Sequence, residues 1–437
     1  MFLHSSLLLP FSLFSGLLFA CNTHSPPPQT GIQHTPSPQI GTHQEAVLYV
    51  GCLLYQKPVH SYEDKAMTPA TVIIAALNAD NGQKIWQRSL LNLSPKDLSR
   101  YAYTTSVTVD NALLYTVIST PVNGLVVGLD ARTGRILWKD TEGAGGISSP
   151  IATNGVFSME VGQPQTGMKT LRTLDGQSGK LLWSASAGDY TLGQIAATDK
   201  AVYLVQAKYT PASRLPYDSE IVRALRLNDG TPLWQKEFRN TPQTSLLPMR
   251  LQADSQAVYL FQLESKQAFT PPSIPVGVNT LLALRAEDGT PLWSVQTPYD
   301  YLQEPRISLV LVGHVLSLIG QKRLSSFNTQ DGKLLSAYTS HFFLWTFLPN
   351  DHLYGIIGAK EANFCSFKSS DGTKLWCSNI AANSVVLALV NKDRLYLMQQ
   401  QAIEVLKQND GSQVGRYTID NPTRVLMQSM AFSEEKL

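Results

Sequence analysis

The sequence has little charge and no cysteine pattern that would mark a metal or redox centre. Only 16% of the 437 residues are charged and the formal net charge is +2. This composition gives no basic surface of the kind that binds nucleic acid. The four cysteines include no C-x-x-C motif, no adjacent pair, no C-x-x-C-H haem motif and no Cys/His grouping with zinc spacing. These absences argue against nucleic acid as a partner and against a zinc or c-type haem site.

An apolar run at the N-terminus, residues 7–20, is too short to cross a bilayer as a standard helix. It is typical of the core of a signal peptide, and residues 1–20 are predicted to be one. The run ends in Leu18-Phe19-Ala20-Cys21, which resembles a bacterial lipobox and implies cleavage before Cys21 and lipidation of that cysteine. Because the leader contains no Lys or Arg, a secreted protein without a lipid anchor is the alternative.

Residues 21–44 are rich in Pro, Ser, Thr, Gln and His and poor in apolar side chains. Such a segment cannot bury enough surface to offset the entropy of ordering it, and its prolines make it extended. We therefore expect a disordered tether that holds a folded domain off a membrane, outside the cytoplasm.

From residue 45 to the end at residue 437, one short segment recurs eight times, as in LDARTGRILW at 129–138 and LRAEDGTPLW at 284–293. Each copy contains a tight loop that ends in glycine, which tolerates the positive φ that such loops need. The aligned glycines are Gly82, Gly134, Gly179, Gly230, Gly289, Gly332, Gly372 and Gly411. Six copies carry tryptophan four residues later, namely Trp86, Trp138, Trp183, Trp234, Trp293 and Trp376. Ser336 and Gly415 replace it in copies six and eight, where weaker contacts between units are expected.

The repeat predicts an all-β fold, an eight-bladed β-propeller of four-stranded antiparallel blades. Its period of about 40–50 residues, with strand-like content between the turns, is typical of propeller blades. The tryptophan is suited to filling the wedge between neighbouring blades. Unit one lacks a first strand, so we predict that residues 423–432 pair with residues 46–55 and close the ring.

The segments resemble the tryptophan-docking motif of the PQQ-like, or quinoprotein alcohol dehydrogenase-like, repeat family, Ala-x-Asp-x-x-Thr-Gly-x-x-x-Trp. Copy two matches best, with Asp130, Thr133, Gly134 and Trp138. Copy three keeps Asp175, Gly179 and Trp183. The resemblance implies a PQQ-like propeller over residues 45–437 and extends to BamB-type lipoproteins, which are not enzymes. Docking residues are structural, so the motif alone implies no activity.

Two functions from different classes follow from that family. The favoured one is a non-catalytic, monomeric lipoprotein scaffold that binds an envelope protein, an exported peptide or another ligand and carries no cofactor. The alternative is a quinoprotein dehydrogenase that uses PQQ and calcium. Against it, the chain has no adjacent cysteine pair and no recognisable set of calcium ligands, so no catalytic, cofactor or metal residue is assigned.

The longest connections, between second and third strands and between successive units, should emerge on one face of the ring. Insertions gathered on one face of a repeat protein usually mark its binding face. Tyrosine and arginine are common interface anchors, and either binding or packing on the propeller would account for them. The candidate binding residues are Tyr62, Tyr101, Tyr209, Arg214, Tyr217 and Phe269.

Two of the cysteines, Cys365 and Cys377, are symmetric about Asp371 in the turn of unit seven. A simple hairpin register places them opposite each other on adjacent strands, at a separation that a disulfide can bridge. A disulfide in an oxidising compartment and two unpaired thiols both remain open. Cys52 is expected to be buried on a strand.

Overall fold

The computed structural model describes residues 20–22 and 46–433 with gaps between strands. The gaps are 59–67, 95–103, 120–123, 142–146, 163–168, 187–189, 209–218, 240–244, 266–276, 299–306, 321–322, 340–342, 349–351, 358–362, 369–370, 372, 382–384, 386, 400–401 and 419. Strands form eight separate antiparallel sheets, the blades of a propeller. In this described part no helix is long and apolar enough to cross a membrane.

The first four blades follow the chain in order, apart from blade one, which also takes strands from both ends. Blade one contains β1 (Ala20–Asn22), β2 (Val47–Tyr55), β3 (Ala70–Asn78), β4 (Lys84–Leu93) and β33 (Asp420–Ser433). Blade two contains β5 (Thr104–Asp110), β6 (Leu113–Ser119), β7 (Gly124–Asp130) and β8 (Ile136–Asp140). Blade three contains β9 (Ile147–Thr153), β10 (Val156–Gly162), β11 (Lys169–Asp175) and β12 (Leu181–Ser186). Blade four contains β13 (Tyr190–Ala197), β14 (Ala201–Lys208), β15 (Ser219–Arg226) and β16 (Pro232–Arg239).

The last four blades repeat the same order of strands. Blade five contains β17 (Ser245–Ala253), β18 (Ala257–Ser265), β19 (Gly277–Arg285) and β20 (Pro291–Gln296). Blade six contains β21 (Ser308–Val312), β22 (Val315–Ile319), β23 (Arg323–Asn328) and β24 (Leu334–Thr339). Blade seven contains β25 (Phe343–Leu348), β26 (His352–Ile357), β27 (Asn363–Lys368) and β28 (Lys374–Ala381). Blade eight contains β29 (Leu387–Asn391), β30 (Arg394–Met398), β31 (Ala402–Lys407) and β32 (Gln413–Thr418).

Burial follows the position of a strand in its blade. The first strands of blades two to six contact one another in turn, and β33 of blade one contacts those of blades two and eight, so the first strands surround the axis of the ring. Second and third strands such as β2 and β3 are buried almost throughout, because both faces of a blade pack on neighbouring blades. The fourth strand lies at the rim, and β16 is exposed or half-buried along its whole length. The apolar runs in the middle of each unit thus become the core between blades.

The C-terminal strand closes the ring as predicted. β33 pairs with β2 from Leu54 opposite Val425 to Val47 opposite Ser433. Met427 and Met430 are buried in the core of blade one. The eight-bladed, all-β prediction and its closing strand are confirmed.

The short strand β1 lies on the other side of β33, with Ala20 opposite Val425 and Asn22 opposite Asp420. This strand includes Cys21, the predicted lipidation site. The pairing does not test the signal peptide, the cleavage or the lipidation, which stay predictions. The predicted tether after residue 22 lies outside the described residues.

Candidate functional site

The repeated tryptophan joins each blade to the next. In blade two the Trp138 Nε1 donates a hydrogen bond to the backbone oxygen of Gly176, in the turn of blade three, over 2.8 Å. Its indole ring covers Gly179, which has φ of +69°, and a Cβ there would fall 2.5 Å from the ring. The glycine is therefore required both by the turn conformation and by the ring that lies on it.

Five more blades make the same contact. The Nε1–O distances are 3.0 Å for Trp86 to Ala131, 2.7 Å for Trp183 to Leu227, 2.9 Å for Trp234 to Ala286, 2.9 Å for Trp293 to Thr329 and 2.8 Å for Trp376 to Gln408. The docking tryptophans thus have the structural position that the repeat suggested, although their indoles are committed to neighbouring blades and not to a ligand.

A tyrosine on the second strand supports the tryptophan in several blades, and sequence reasoning missed it. Tyr49 lies 5.9 Å from Trp86 between ring centroids, and Tyr115 lies 6.1 Å from Trp138. Burial raises the pKa of both hydroxyls, with neighbouring aspartates adding to the effect, so both remain protonated. The Tyr49 hydroxyl donates to the Ala131 oxygen, the acceptor that Trp86 also uses. The signal was a Leu/Val-Tyr pair at the start of the second strand.

In copy eight, where a weaker contact between units was expected, another aromatic side chain makes the docking contact. Gly415 stands at the tryptophan position, but Tyr417 lies on the same face of β32 two residues later. Its hydroxyl donates to the Ala79 oxygen of blade one over 2.5 Å, and its ring covers Gly82. Tyr396 donates to the same oxygen over 3.0 Å. Tyr396 thus corresponds to the second-strand tyrosine of the other blades, and the Tyr417 phenol takes the place of the indole at the junction that closes the ring.

Copy six presents hydroxyl groups where other blades present rings. Ser317, Ser326 and Ser336 are opposite one another on the last three strands of blade six. The Oγ atoms of Ser317 and Ser326 are 3.0 Å apart. The residues of blade seven that pack here are Leu353, Cys365 and Phe367, all buried.

The aspartates of the docking turns are structural. Asp130 accepts hydrogen bonds from the Thr133 amide at 2.8 Å and hydroxyl at 2.7 Å, and these bonds lower its pKa. Asp175 has the same relation to Ser178. In other copies the aspartate directly before the glycine accepts from a residue after it, as Asp229 does from Thr231. The carboxylates of Asp130, Asp175 and Asp229 are thus held ionised as acceptors within their own turns, because these hydrogen bonds lower their pKa.

Cys365 and Cys377 are opposite each other on β27 and β28 and form a disulfide. The bond joins the two strands of the outer hairpin of blade seven, with Cys365 buried and Cys377 exposed. Cys52 is buried on β2.

The predicted binding residues on the long connections are outside the described part of the chain. They are Tyr62, Tyr101, Tyr209, Arg214, Tyr217 and Phe269. The strands still fix where these connections start. The described strand ends from which they start lie at the ends of the blades opposite to the docking turns. Their role in binding stays a prediction.

Two grooves between blades are found on the described surface. One, of about 540 Å³, lies between blades four and five beside the docking turns, with Lys200, Arg226 and Glu287 among its lining residues. The other, of about 550 Å³, lies between blades seven and eight and includes Ser378, Glu404 and Arg416. Both are lined by polar side chains as well as apolar ones.

The described residues do not fit the calcium and PQQ of the quinoprotein alternative. No grouping of three or more His, Cys, Asp or Glu that could hold a metal ion is found among them. The disulfide joins residues 12 positions apart at the rim of blade seven and not adjacent cysteines beside the axis.

Comparison with known proteins supports the repeat and the fold. Residues 70–260, which include all of blades two to four, match the family model described as outer membrane protein assembly factor BamB. No curated protein matches the sequence. The resemblance of the repeat to the PQQ-like propeller family is confirmed over these residues.

Solved structures share the architecture at low sequence identity. Dihydro-heme d1 dehydrogenase NirN, in complex with DHE, has a TM-score of 0.55 and 12% identity, covering 91% of this chain and 77% of that chain. AztD from Citrobacter koseri has a TM-score of 0.51 and 12% identity, covering 90% and 100%. BamB from Moraxella catarrhalis has a TM-score of 0.46 and 15% identity, covering 71% and 92%. At these identities the likeness concerns the fold alone, which both enzymes and other proteins adopt.

Proposed function

We propose that this protein is a non-catalytic scaffold outside the cytoplasm, anchored through lipidated Cys21, that binds an envelope protein or an exported peptide. The observation that carries the proposal is the match of residues 70–260 to the model of an outer membrane assembly factor. The signal-peptide pattern and the tether sequence support the location.

The construction of the ring is suited to this role. Each docking indole is committed to the backbone of the next blade, as Trp183 is to Leu227. Within the docking turns, aspartates such as Asp130 accept hydrogen bonds from residues of the same turn. A rigid disc of this kind leaves the long connections of one face as the variable surface, which is where repeat proteins usually bind partners.

A cross-linking pulldown of the full-length protein from its own cells tests the scaffold role. We expect one envelope protein or exported peptide to be recovered reproducibly, and its yield to fall about tenfold or more in a Tyr209→Ala, Arg214→Ala and Tyr217→Ala variant, as for interface anchors. The matched control is Arg226→Ala with Arg285→Ala, two exposed arginines on the opposite face. An equal loss of the recovered partner in the control, or no reproducible partner, would count against binding at the long connections, whose side of the ring is called the loop face below.

The anchor is tested separately by a Cys21→Ser variant. Metabolic labelling with a fatty acid should mark the wild type and not the variant, and the variant should leave the membrane fraction. Ser25→Ala, in the tether, is the control that should keep both label and location. An unlabelled, released wild type would favour the secreted alternative.

The dehydrogenase alternative is tested with PQQ and calcium added to the purified protein. Quinone absorbance, thermal stabilisation and alcohol-dependent dye reduction, all three together, would overturn the scaffold proposal. We expect none of them, since the described residues do not provide calcium ligands.

A further inference from the structure

The groove between blades seven and eight has a free strand edge on one side. β28 is the last strand of its sheet and pairs only with β27 among the described strands. Its residues Cys377 to Ile380 form one wall of the groove. An edge strand offers unpaired N–H and C=O groups to which an extended chain can add.

This edge lacks the features that usually block strand addition. Within β28 the only charged residue is Lys374 at its start, and the strand contains no proline. By contrast, β16 begins with Pro232 and carries three charges near its end. The disulfide between Cys377 and Cys365 also holds β28 in place against β27. Among the described residues the edge is therefore open, apart from the Ile380 amide, which donates to the Ser378 hydroxyl over 3.3 Å, and it is ordered in advance of binding.

The opposite wall carries a buried carboxylate. Glu404 on β31 is only 4% exposed, and burial raises its pKa, an effect that Arg416 partly offsets. Its Oε1 lies 3.3 Å from the Arg416 Nε, and its Oε2 accepts a 2.6 Å hydrogen bond from the Gln413 Nε2. The Arg416 side chain is 58% exposed, so another cation can replace it at little cost.

The charge of the groove favours a cationic ligand. Asp410 lies among its lining residues and is held ionised by hydrogen bonds from Ser412, which lower its pKa. The charged lining residues are two carboxylates, Glu404 and Asp410, and a single arginine, Arg416. A basic side chain that reaches Glu404 would make a charge-assisted hydrogen bond away from bulk water.

We propose that this groove binds an extended peptide segment, which adds to β28 as a fifth strand of blade seven and places a lysine or arginine side chain at Glu404. The lining residues of the groove come from blades seven and eight and include none of the predicted binding residues of the long connections. Alternate residues of an added strand point to the same side, and those on one side would face blade eight.

The probe is a fluorescein-labelled heptapeptide of sequence TVKVTVT, measured by fluorescence anisotropy on the full-length protein. Two companion peptides separate the two contacts: one has Glu in place of Lys, and one is N-methylated at alternate residues, which removes strand hydrogen bonds. We expect each companion to bind about tenfold more weakly or worse, since each loses charge-assisted or main-chain hydrogen bonds.

The protein variants are Glu404→Gln and, as a matched control, Glu287→Gln in the groove between blades four and five. Glu404→Gln should weaken the lysine peptide about tenfold and abolish the preference over the Glu peptide, whereas Glu287→Gln should bind as the wild type does. Binding that is absent at about 1 mM, equal for all three peptides, or equally weakened by both variants would overturn the proposal.

The peptide comparison holds even if Glu404→Gln fails to fold, because it uses only the native protein. Retained peptide binding in the Tyr209→Ala, Arg214→Ala and Tyr217→Ala variant would show that the groove acts apart from the loop face. Loss of binding in that variant would overturn the assignment to the groove.

Discussion

The junction between blades two and three and the junction between blades eight and one perform the same task with different side chains. The first uses Trp138, whose Nε1 donates to the Gly176 oxygen. The second has Gly415 at the tryptophan position and uses Tyr417, which donates to the Ala79 oxygen. Both rings cover the turn glycine of the next blade.

The difference shows that docking is defined by the slot on the receiving blade. The slot consists of a turn glycine and a free carbonyl oxygen, and any aromatic donor on the correct strand face can fill it. Residues 415 and 417 face the same side because side chains alternate along a strand. The following predictions test how far the two junctions are equivalent.

Removal of β33 should have the largest effect. A chain that ends at residue 419 loses the strand that pairs with β2 and the buried Met427 and Met430. We expect no folded protein or a Tm lower by more than about 10 °C, since several kcal/mol of core packing are lost. Thermal unfolding followed by circular dichroism measures this. Deletion of residues 434–437 alone, beyond β33, should leave the Tm unchanged. An unchanged Tm in the longer deletion would contradict the closure of the ring by β33.

Trp138→Ala should break the junction of blades two and three. Truncation of this buried ring, 8% exposed, should lower the free energy of unfolding by about 3–5 kcal/mol. Urea unfolding at pH 7 measures the change. Trp138→Phe keeps an aromatic ring and loses the Nε1 bond, so it should cost clearly less. Equal costs for the two variants would mean that the ring contributes little.

Gly415→Trp restores the tryptophan of the repeat motif at a junction where Tyr417 already occupies the docking site on blade one. A Cβ at Gly415 would lie 3.3 Å from the Tyr417 ring, so the new indole must compete with the tyrosine. We expect a loss of about 1–3 kcal/mol from overpacking, measured by urea unfolding. Gly415→Ala is the control for the loss of glycine itself. Stabilisation by Gly415→Trp would show that the slot was not filled.

Tyr417→Phe removes only the hydroxyl that donates to Ala79. We expect the free energy of unfolding to fall by about 1 kcal/mol. Tyr396 donates to the same oxygen and should reduce this loss. Blade six repeats this pattern in sequence, with Tyr338 two residues after Ser336. The Tyr338 side chain is outside the described part of the structure, and the pattern predicts a similar cost for Tyr338→Phe. If neither variant lowers the free energy of unfolding in urea, the tyrosine hydroxyl groups contribute little to docking.

The smallest effect concerns acid. The pKa of Asp130 and of Asp175 is held below the ordinary 3.8 by hydrogen bonds from Thr133 and Ser178. A pKa that is lower in the folded state contributes stability that is present above the ordinary pKa of 3.8 and is lost as the pH falls from there through the lower folded-state pKa. An Asp130→Asn and Asp175→Asn variant should therefore show a flatter decline of the urea midpoint between pH 5 and pH 3. Asp199→Asn, outside the docking turns, serves as control, and identical profiles would contradict the assignment.

Much of the fold was predictable, because each blade contains a short local sequence pattern that identifies its docking turn. In most copies the turn glycine, the aspartate that accepts within the turn and the tryptophan lie close together in the sequence, as Asp130, Gly134 and Trp138 do in copy two. The closing strand was predictable because unit one lacked a strand and the C-terminus had one left over. The supporting tyrosines were missed, since Tyr49 and Trp86 meet only across two strands. The groove at Glu404 was also missed, because its walls come from two blades.

The sequence by itself determined the number of blades, the docking turns and the closure of the ring, since these depend on periodic local pattern and on β-sheet edges that must be paired. Only the tertiary structure decided which aromatic side chain docks on each blade, that Cys365 and Cys377 form a disulfide, and where a buried carboxylate lies beside an open strand edge. Those features depend on the contact of neighbouring blades, and such contacts join residues that no local spacing in the sequence brings together.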